Sequence, residues 1–307
     1  MWSNRTVYRA PNVSAPPVEY FLFTPRRIRE LRPLFCWLHG YGQRIQPKSP
    51  FTDVADRQQP WFLLLPQAPF GSNWAPGVGR RQGSFRTPVY WAIKTGAVHW
   101  THTLLVGLLD ALVREQYVDG NRIVLGGASM GGYGTWDTIV RYPHIFAVAV
   151  PMASGGDPTR AHSLGSIAIW AFHAANDTVV PVAGSQRMTQ AVASARSVTL
   201  ELHRLDNGTT AELRSSDGRL RYTELVDEAC LRVLAKAWRK EHLAVHVGTM
   251  RAGLGGRRVF NWVQRHLSLT TPAAVRGAAR RGRMANLTRA RRVSGVLGIR
   301  PRPAAPP

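Results

Sequence analysis

The chain has 307 residues, 44% of them hydrophobic and 9% aromatic, which is enough apolar material for a full core and excludes wholesale disorder. Its net charge of +22 is unevenly spread: residues 1–228 hold 23 Lys/Arg against 17 Asp/Glu, and residues 229–307 hold 17 against the lone acid Glu241. No apolar run is long enough to span a membrane, no secretory h-region precedes Val18, and two cysteines, Cys36 and Cys230, exclude a disulfide framework or cysteine-based zinc site and suit a reducing, cytoplasmic setting.

Residues 1–17 are polar and proline-bearing and read as an N-terminal extension. Short apolar runs then alternate with helical patterns, the signature of a mostly parallel sheet covered on both faces. Val18–Phe23 reads as the first strand, Pro33–Leu38 as a second that ends at His39-Gly40-Tyr41-Gly42, and Trp61–Leu65 as a third closed by Pro66. Residues 67–91 form a long Gly-, Pro- and aromatic-rich loop, and such loops are usually functional. A helix over residues 98–117 carries Leu104, Leu105, Leu108, Leu109 and Leu112 at helical spacing.

Asp119-Gly120-Asn121 is turn chemistry ahead of a strand at Arg122–Gly126. Strands follow at Phe146–Pro151, Ile167–Phe172, Val198–Leu205 and Arg219–Leu225, with helices over Met130–Arg141 and residues 184–195. Asp227 resembles an N-cap for a helix bearing Cys230, Val233, Leu234, Ala237 and Trp238, and Arg258–Leu267 reads as the last helix. From Thr271 the chain is Ala, Gly, Arg and Pro without apolar period, so residues 271–307 are expected to form a disordered basic tail. Clustered arginine of this kind binds nucleic acid or anionic membrane by charge alone.

The chemistry concentrates in Gly127-Ala128-Ser129-Met130-Gly131, a G-x-S-x-G pattern between an expected strand and an expected helix. That context is what a nucleophile elbow requires. The helix N-terminus behind Ser129 favours negative charge developing on an acyl oxygen. The turn at His39–Gly42 can aim the Tyr41 N–H at the same point as the Met130 N–H, and two such donors make an oxyanion hole worth about 3 kcal/mol per donor. His39 belongs to the turn and reads as structural. Asp177 follows the strand Ile167–Phe172 on the sheet face where such folds place their sites, and Ser, then Asp, then a later His is the α/β-hydrolase order.

Arg122–Trp136 (RIVLGGASMGGYGTW), the HGYG turn, Pro66-Gln67-Ala68-Pro69 and the NDTVVP segment at residues 176–181 together resemble the phospholipase/carboxylesterase group. Within it they are similar to the poly(3-hydroxybutyrate) depolymerase-like esterases, often described as predicted peptidases. The resemblance spans residues 18–270 and implies an α/β-hydrolase domain there, cleaving a small-molecule carboxylic ester without metal or cofactor. It implies Ser129 as nucleophile, Asp177 as triad acid, and Tyr41 and Met130 as oxyanion donors. Trp74, Phe85, Tyr90 and Trp91 are the expected wall of an acyl pocket.

The third triad member departs from the pattern. Tyr222-Thr223-Glu224-Leu225 fits the family's last strand, but the place of the following histidine is taken by Cys230. A thiol cannot present one nitrogen to Ser129 and another to Asp177 as imidazole does. Three explanations stand open. A later or earlier histidine serves, with His242 preferred over His246 and His203; the chain is a catalytically dead binding protein whose basic tail contacts anionic partners; or the sequence beyond Leu225 reflects an altered reading frame. His242 and His246 also stand at a spacing that can hold zinc, but Glu241 is out of frame for the metalloprotease motif, so no metal is expected.

Overall fold

The computed structural model describes residues 2–10, 17–25, 28–46, 61–69, 72–75, 100–165, 167–205, 210–226, 245–246, 248–249 and 257–269. In chain order the strands are β1 (Thr6–Tyr8), β2 (Val18–Phe23), β3 (Arg32–Leu38), β4 (Phe62–Gln67), β5 (Val118–Ala128), β6 (Val148–Met152), β7 (Ala168–Ala174), β8 (Leu200–Leu205), β9 (Thr210–Ser215) and β10 (Leu220–Leu225). The helices are α1 (Trp100–Glu115), α2 (Met130–Arg141), α3 (Ala183–Ala195) and α4 (Arg257–Leu269). The chain divides into two units, Met1–Leu267 and Ser268–Pro307, and the tail expected from residue 271, like the helix expected after Asp227, lies outside the described residues.

The described strands form one sheet in the order β1-β2-β4-β3-β5-β6-β7-β10-β9-β8. The run from β4 to β10 is parallel, and antiparallel strands flank it on both sides. Successive side chains of a strand point to opposite faces, and here both faces are apolar. Leu34, Cys36 and Leu38 of β3, with Phe62 and Leu64 of β4, pack on one side with Leu105 and Leu108 of α1, Trp136 of α2 and Met188 of α3. Phe35, Trp37, Leu63 and Val124 face the other side, where Val259, Phe260, Trp262 and Val263 of α4 cover them. Continuous apolar runs in the sequence are the direct consequence of this two-sided burial.

Four departures from the sequence expectations have local causes. Thr6–Tyr8 of the expected extension pairs antiparallel with β2. β4 continues through Pro66, which sits opposite Tyr20. β5 begins at Val118, because Asp119 accepts from the Asn121 N–H at 3.0 Å and from Arg122 Nε at 2.8 Å, holding the expected turn inside the strand, where the pairing with β3 shifts register. β9 is a strand the sequence does not announce, since its buried residues are the polar Thr210, Glu212 and Ser215.

Glu212 explains how such a strand is tolerated. Its carboxylate is fully buried and meets Arg214 Nε at 2.6 Å, Arg258 Nη2 of α4 at 3.3 Å and Arg221 Nη1 at 3.7 Å. Thr223 donates to it at 3.1 Å and accepts in turn from Trp170 Nε1 at 2.8 Å. The Arg221 guanidinium lies 4.9 Å from the Trp170 ring centroid, a cation–π contact. One carboxylate thus ties α4 and the β9–β10 hairpin together. Glu212→Ala leaves these arginines facing one another without a counter-charge. Buried pairs broken this way cost about 3 kcal/mol or more, reduced here to about 2 kcal/mol because Arg258 is half-exposed and screened. Thermal unfolding should show a Tm lowered by several degrees, and an unchanged Tm would mean the cluster contributes nothing to α4 docking.

Candidate active site

The turn after β5 is built by close packing. Ser129 has φ 55° and ψ −121°, a left-handed conformation that costs about 1–3 kcal/mol in a non-glycine residue and persists only when its surroundings fix it. They do so here. The Ser129 N–H donates to the Met152 carbonyl at 3.0 Å and its own carbonyl accepts from Tyr133 at 3.0 Å. A Cβ on Gly131 would collide with the Leu38 carbonyl at the end of β3, and one on Gly127 would collide with the Gly131 backbone. Both glycines of the G-x-S-x-G pattern are therefore steric necessities: α2 crosses the end of β3 at backbone contact. Leu38 and Gly127 stand in register on adjacent parallel strands, so the turn carrying Tyr41 and the first residue of α2, Met130, open at the same sheet edge.

The Tyr41 turn is held from below by His39. The His39 Nδ1–H donates to the Gly40 carbonyl at 2.7 Å and Nε2 accepts from the Ala68 N–H at 3.0 Å, a division that requires the neutral ring. Burial drives its pKa down to about 4, with the Gly40 hydrogen bond opposing. Gln43 accepts from the Gly40 N–H at 2.9 Å, and Gln67 of β4 accepts from the Ile45 N–H at 2.9 Å. Gly42 has φ 70°, the left-handed conformation that glycine adopts without penalty. Trp74 donates to the His39 carbonyl at 3.0 Å and is 2% exposed. It packs the turn onto α2 and has no surface left to line an acyl pocket, contrary to its sequence-based role. Phe85, Tyr90 and Trp91 lie outside the described residues.

Asp177 follows β7 and its carboxylate is fully buried. Oδ1 accepts from the Val179 and Val180 N–H groups at 2.8 and 2.9 Å. Oδ2 lies 2.6 Å from His246 Nδ1 and 3.4 Å from His173 Nε2. Burial alone would raise this carboxyl, but the hydrogen bonds and charges of His173 and His246 outweigh it and hold the pKa well below the usual carboxylate range. A carboxylate only accepts, so His246 carries its proton on Nδ1. Val245 places that ring: it packs against Ala174 and Leu225, the last residues of β7 and β10.

His242, the sequence-based choice for the histidine, lies outside the described residues. The histidine that meets Asp177 is His246, four residues later and one of the two alternatives to His242 that the sequence offers. Each has an apolar neighbour, Leu243 beside His242 and Val245 beside His246, so the sequence holds no signal that separates them. His203 stands on the edge strand β8, 3.8 Å from Glu201, remote from the end of β7. Cys230 also lies outside the described residues. No group of three His, Cys, Asp or Glu able to hold a metal ion occurs among the described residues.

Sheet order, elbow and acid loop define an α/β-hydrolase fold. The model of the prolyl oligopeptidase family matches residues 99–177, a segment that holds Ser129 and Asp177. A thermostable esterase of known structure is 25% identical with a TM-score of 0.63; the match covers 85% of this chain and 62% of the esterase, so the chain spans less than two thirds of that protein's length. The acetyl xylan esterase from Aspergillus awamori shares the fold at 12% identity, with a TM-score of 0.52 and coverage of 68% of this chain and 87% of the enzyme. No curated protein sequence matches. By fold the chain stands with the esterase-like α/β-hydrolases.

The neutral, buried His39 makes stability depend on pH. Its folded pKa of about 4 lies below the value of about 6.5 in an unfolded chain. Between those values the unfolded state binds a proton that the fold refuses, so this contribution is present above about pH 6.5 and is lost as pH falls toward 4, about 3 kcal/mol in all. Denaturant unfolding across this window should show wild type losing stability more steeply than His39→Gln, and parallel curves would mean that His39 does not titrate with folding.

Proposed function

We propose that the chain is a serine hydrolase of carboxylic esters, with Ser129 as nucleophile, His246 as general base and Asp177 as the acid that orients it. The observation that supports this most strongly is the 2.6 Å hydrogen bond between Asp177 and His246, at the sheet edge where the strained Ser129 turn also stands. With Nδ1–H given to Asp177, His246 presents Nε2 as the basic nitrogen. Ser129 Oγ attacks the ester carbonyl and passes its proton to Nε2. The tetrahedral oxyanion is met by the Met130 and Tyr41 amides, and the leaving alcohol takes the proton back. Water then repeats the sequence on the acyl-enzyme. The scheme needs neither metal nor cofactor.

The alternative of a catalytically dead binding protein rested on Cys230 in the histidine's place; the hydrogen bond between His246 and Asp177 favours the catalytic reading over it. Contact of the basic residues 271–307 with nucleic acid or anionic membrane stays a separate proposal, resting on their charge alone. No helix among the described residues is long and apolar enough to cross a membrane. A small-molecule ester is the proposed substrate, a reading supported by the likeness to an esterase of known structure.

Hydrolysis of a panel of p-nitrophenyl esters tests the assignment. Ser129→Ala and His246→Ala should each lower kcat by about a thousandfold or more, and Asp177→Asn by about as much. Loss in His242→Ala rather than His246→Ala would return the base role to His242. A wild type no faster than Ser129→Ala on every ester would overturn the hydrolase reading.

A further inference from the structure

Asp177 has a second histidine at its back. His173, the penultimate residue of β7, is fully buried. Its Nε2 lies 3.0 Å from the Val180 carbonyl and 3.4 Å from Asp177 Oδ2, and Nδ1 lies 2.8 Å from Ser185 Oγ in the first turn of α3. Ser185 Oγ donates to the Ser154 carbonyl at 2.8 Å, just beyond β6.

Proton accounting fixes much of this chain. Carbonyl and carboxylate oxygens only accept, so Nε2 carries a hydrogen, shared between Val180 O and Asp177 Oδ2 with the shorter arm on Val180. Ser185 has one hydroxyl hydrogen and stands within reach of two acceptors, the Ser154 carbonyl and His173 Nδ1. His173 thus holds Val180 by its carbonyl while the Val180 N–H holds Asp177 Oδ1 at 2.9 Å. The carboxylate is gripped on Oδ1 by two backbone amides and on Oδ2 by two imidazoles, and it cannot rotate without breaking bonds in the dry interior.

We infer that His173 is a positioning residue for the Asp177–His246 pair: through Val180 and Oδ2 it locks the Asp177 carboxylate in the one rotation that presents Oδ2 to His246, and Ser185 anchors it to α3 and the end of β6. This inference rests on the hydrolase reading for its catalytic consequence, but not for its structural one. His173 does not touch substrate. Its effect on rate passes entirely through the geometry of the acid, where small misplacements are expensive.

The test pairs ester kinetics with proton NMR of the far-downfield imidazole N–H, assigned to His246 by its disappearance in His246→Ala. In His173→Leu the resonance should broaden or vanish, and kcat should fall about tenfold or more with KM changed less than about twofold. His173→Gln, which keeps a donor where Nε2 stood, should keep the resonance and recover kcat to within about threefold of wild type. Ser185→Ala leaves the His173 ring in place without its anchor and should broaden the resonance; if His173→Leu does not fold, this variant and His173→Gln decide. A sharp, unshifted resonance in Ser185→Ala and in folded His173→Leu overturns the inference, as does a His173→Gln that falls as far as His173→Leu. Should wild type turn over no ester, the hydrolase reading fails while the resonance still judges the positioning role.

Discussion

A buried carboxylate must be satisfied or neutralised, and Asp177 meets that requirement in a way that organises everything around it. Desolvation makes an uncompensated charge in such a place prohibitive. The donors that remove the penalty come from the acid loop itself, from β7 through His173 and from the far segment through His246. Because the charge requires all of them, the pieces of chain that supply them are drawn to the ends of β7 and β10. The histidine arrives at its place partly because a negative charge is waiting there and partly because Val245 fills the gap between Ala174 and Leu225.

The Ser129 turn obeys a different constraint, one of space. Its backbone is strained and its helix touches the end of β3, so the two glycines admit no side chain. The opposite wall, the turn carrying Tyr41, is stiffened by a neutral histidine, a glutamine on either side and an indole, all hydrogen-bonded to backbone. One side of the site is thus fixed by electrostatics and the other by contact, and neither depends on residues at the protein surface.

These two kinds of constraint leave different traces in a sequence. Steric necessity is local and leaves a pattern: Gly127, Ser129 and Gly131 are legible in the sequence, as are the strands whose both faces are apolar, such as Leu34–Leu38. Charge satisfaction at a distance leaves no pattern. β9 buries Thr210, Glu212 and Ser215, which looks like loop composition until the arginines of β9, β10 and α4 are seen around Glu212. The choice between His242 and His246 has the same character, since both suit the chain order and only the packing of Val245 separates them. His173 stands four residues before the acid with nothing in the sequence to mark its role; its partner on the far side of the ring, Ser185 of α3, comes from an element whose proximity only the fold creates.

An open sheet, unlike a barrel, ends in two strands with unpaired backbone groups, and each is a template on which another copy of a chain can grow. At one end of this sheet the terminal strand is only the three residues Thr6–Tyr8, too short to recruit a partner ladder of any length. At the other end β8 runs for six residues and carries Glu201, His203 and Arg204 beside the exposed Leu202. A second copy laid antiparallel on it would have to seat charges of both signs in strict register. Brevity at one end and mixed charge at the other are the features by which open sheets resist pairing with a second copy.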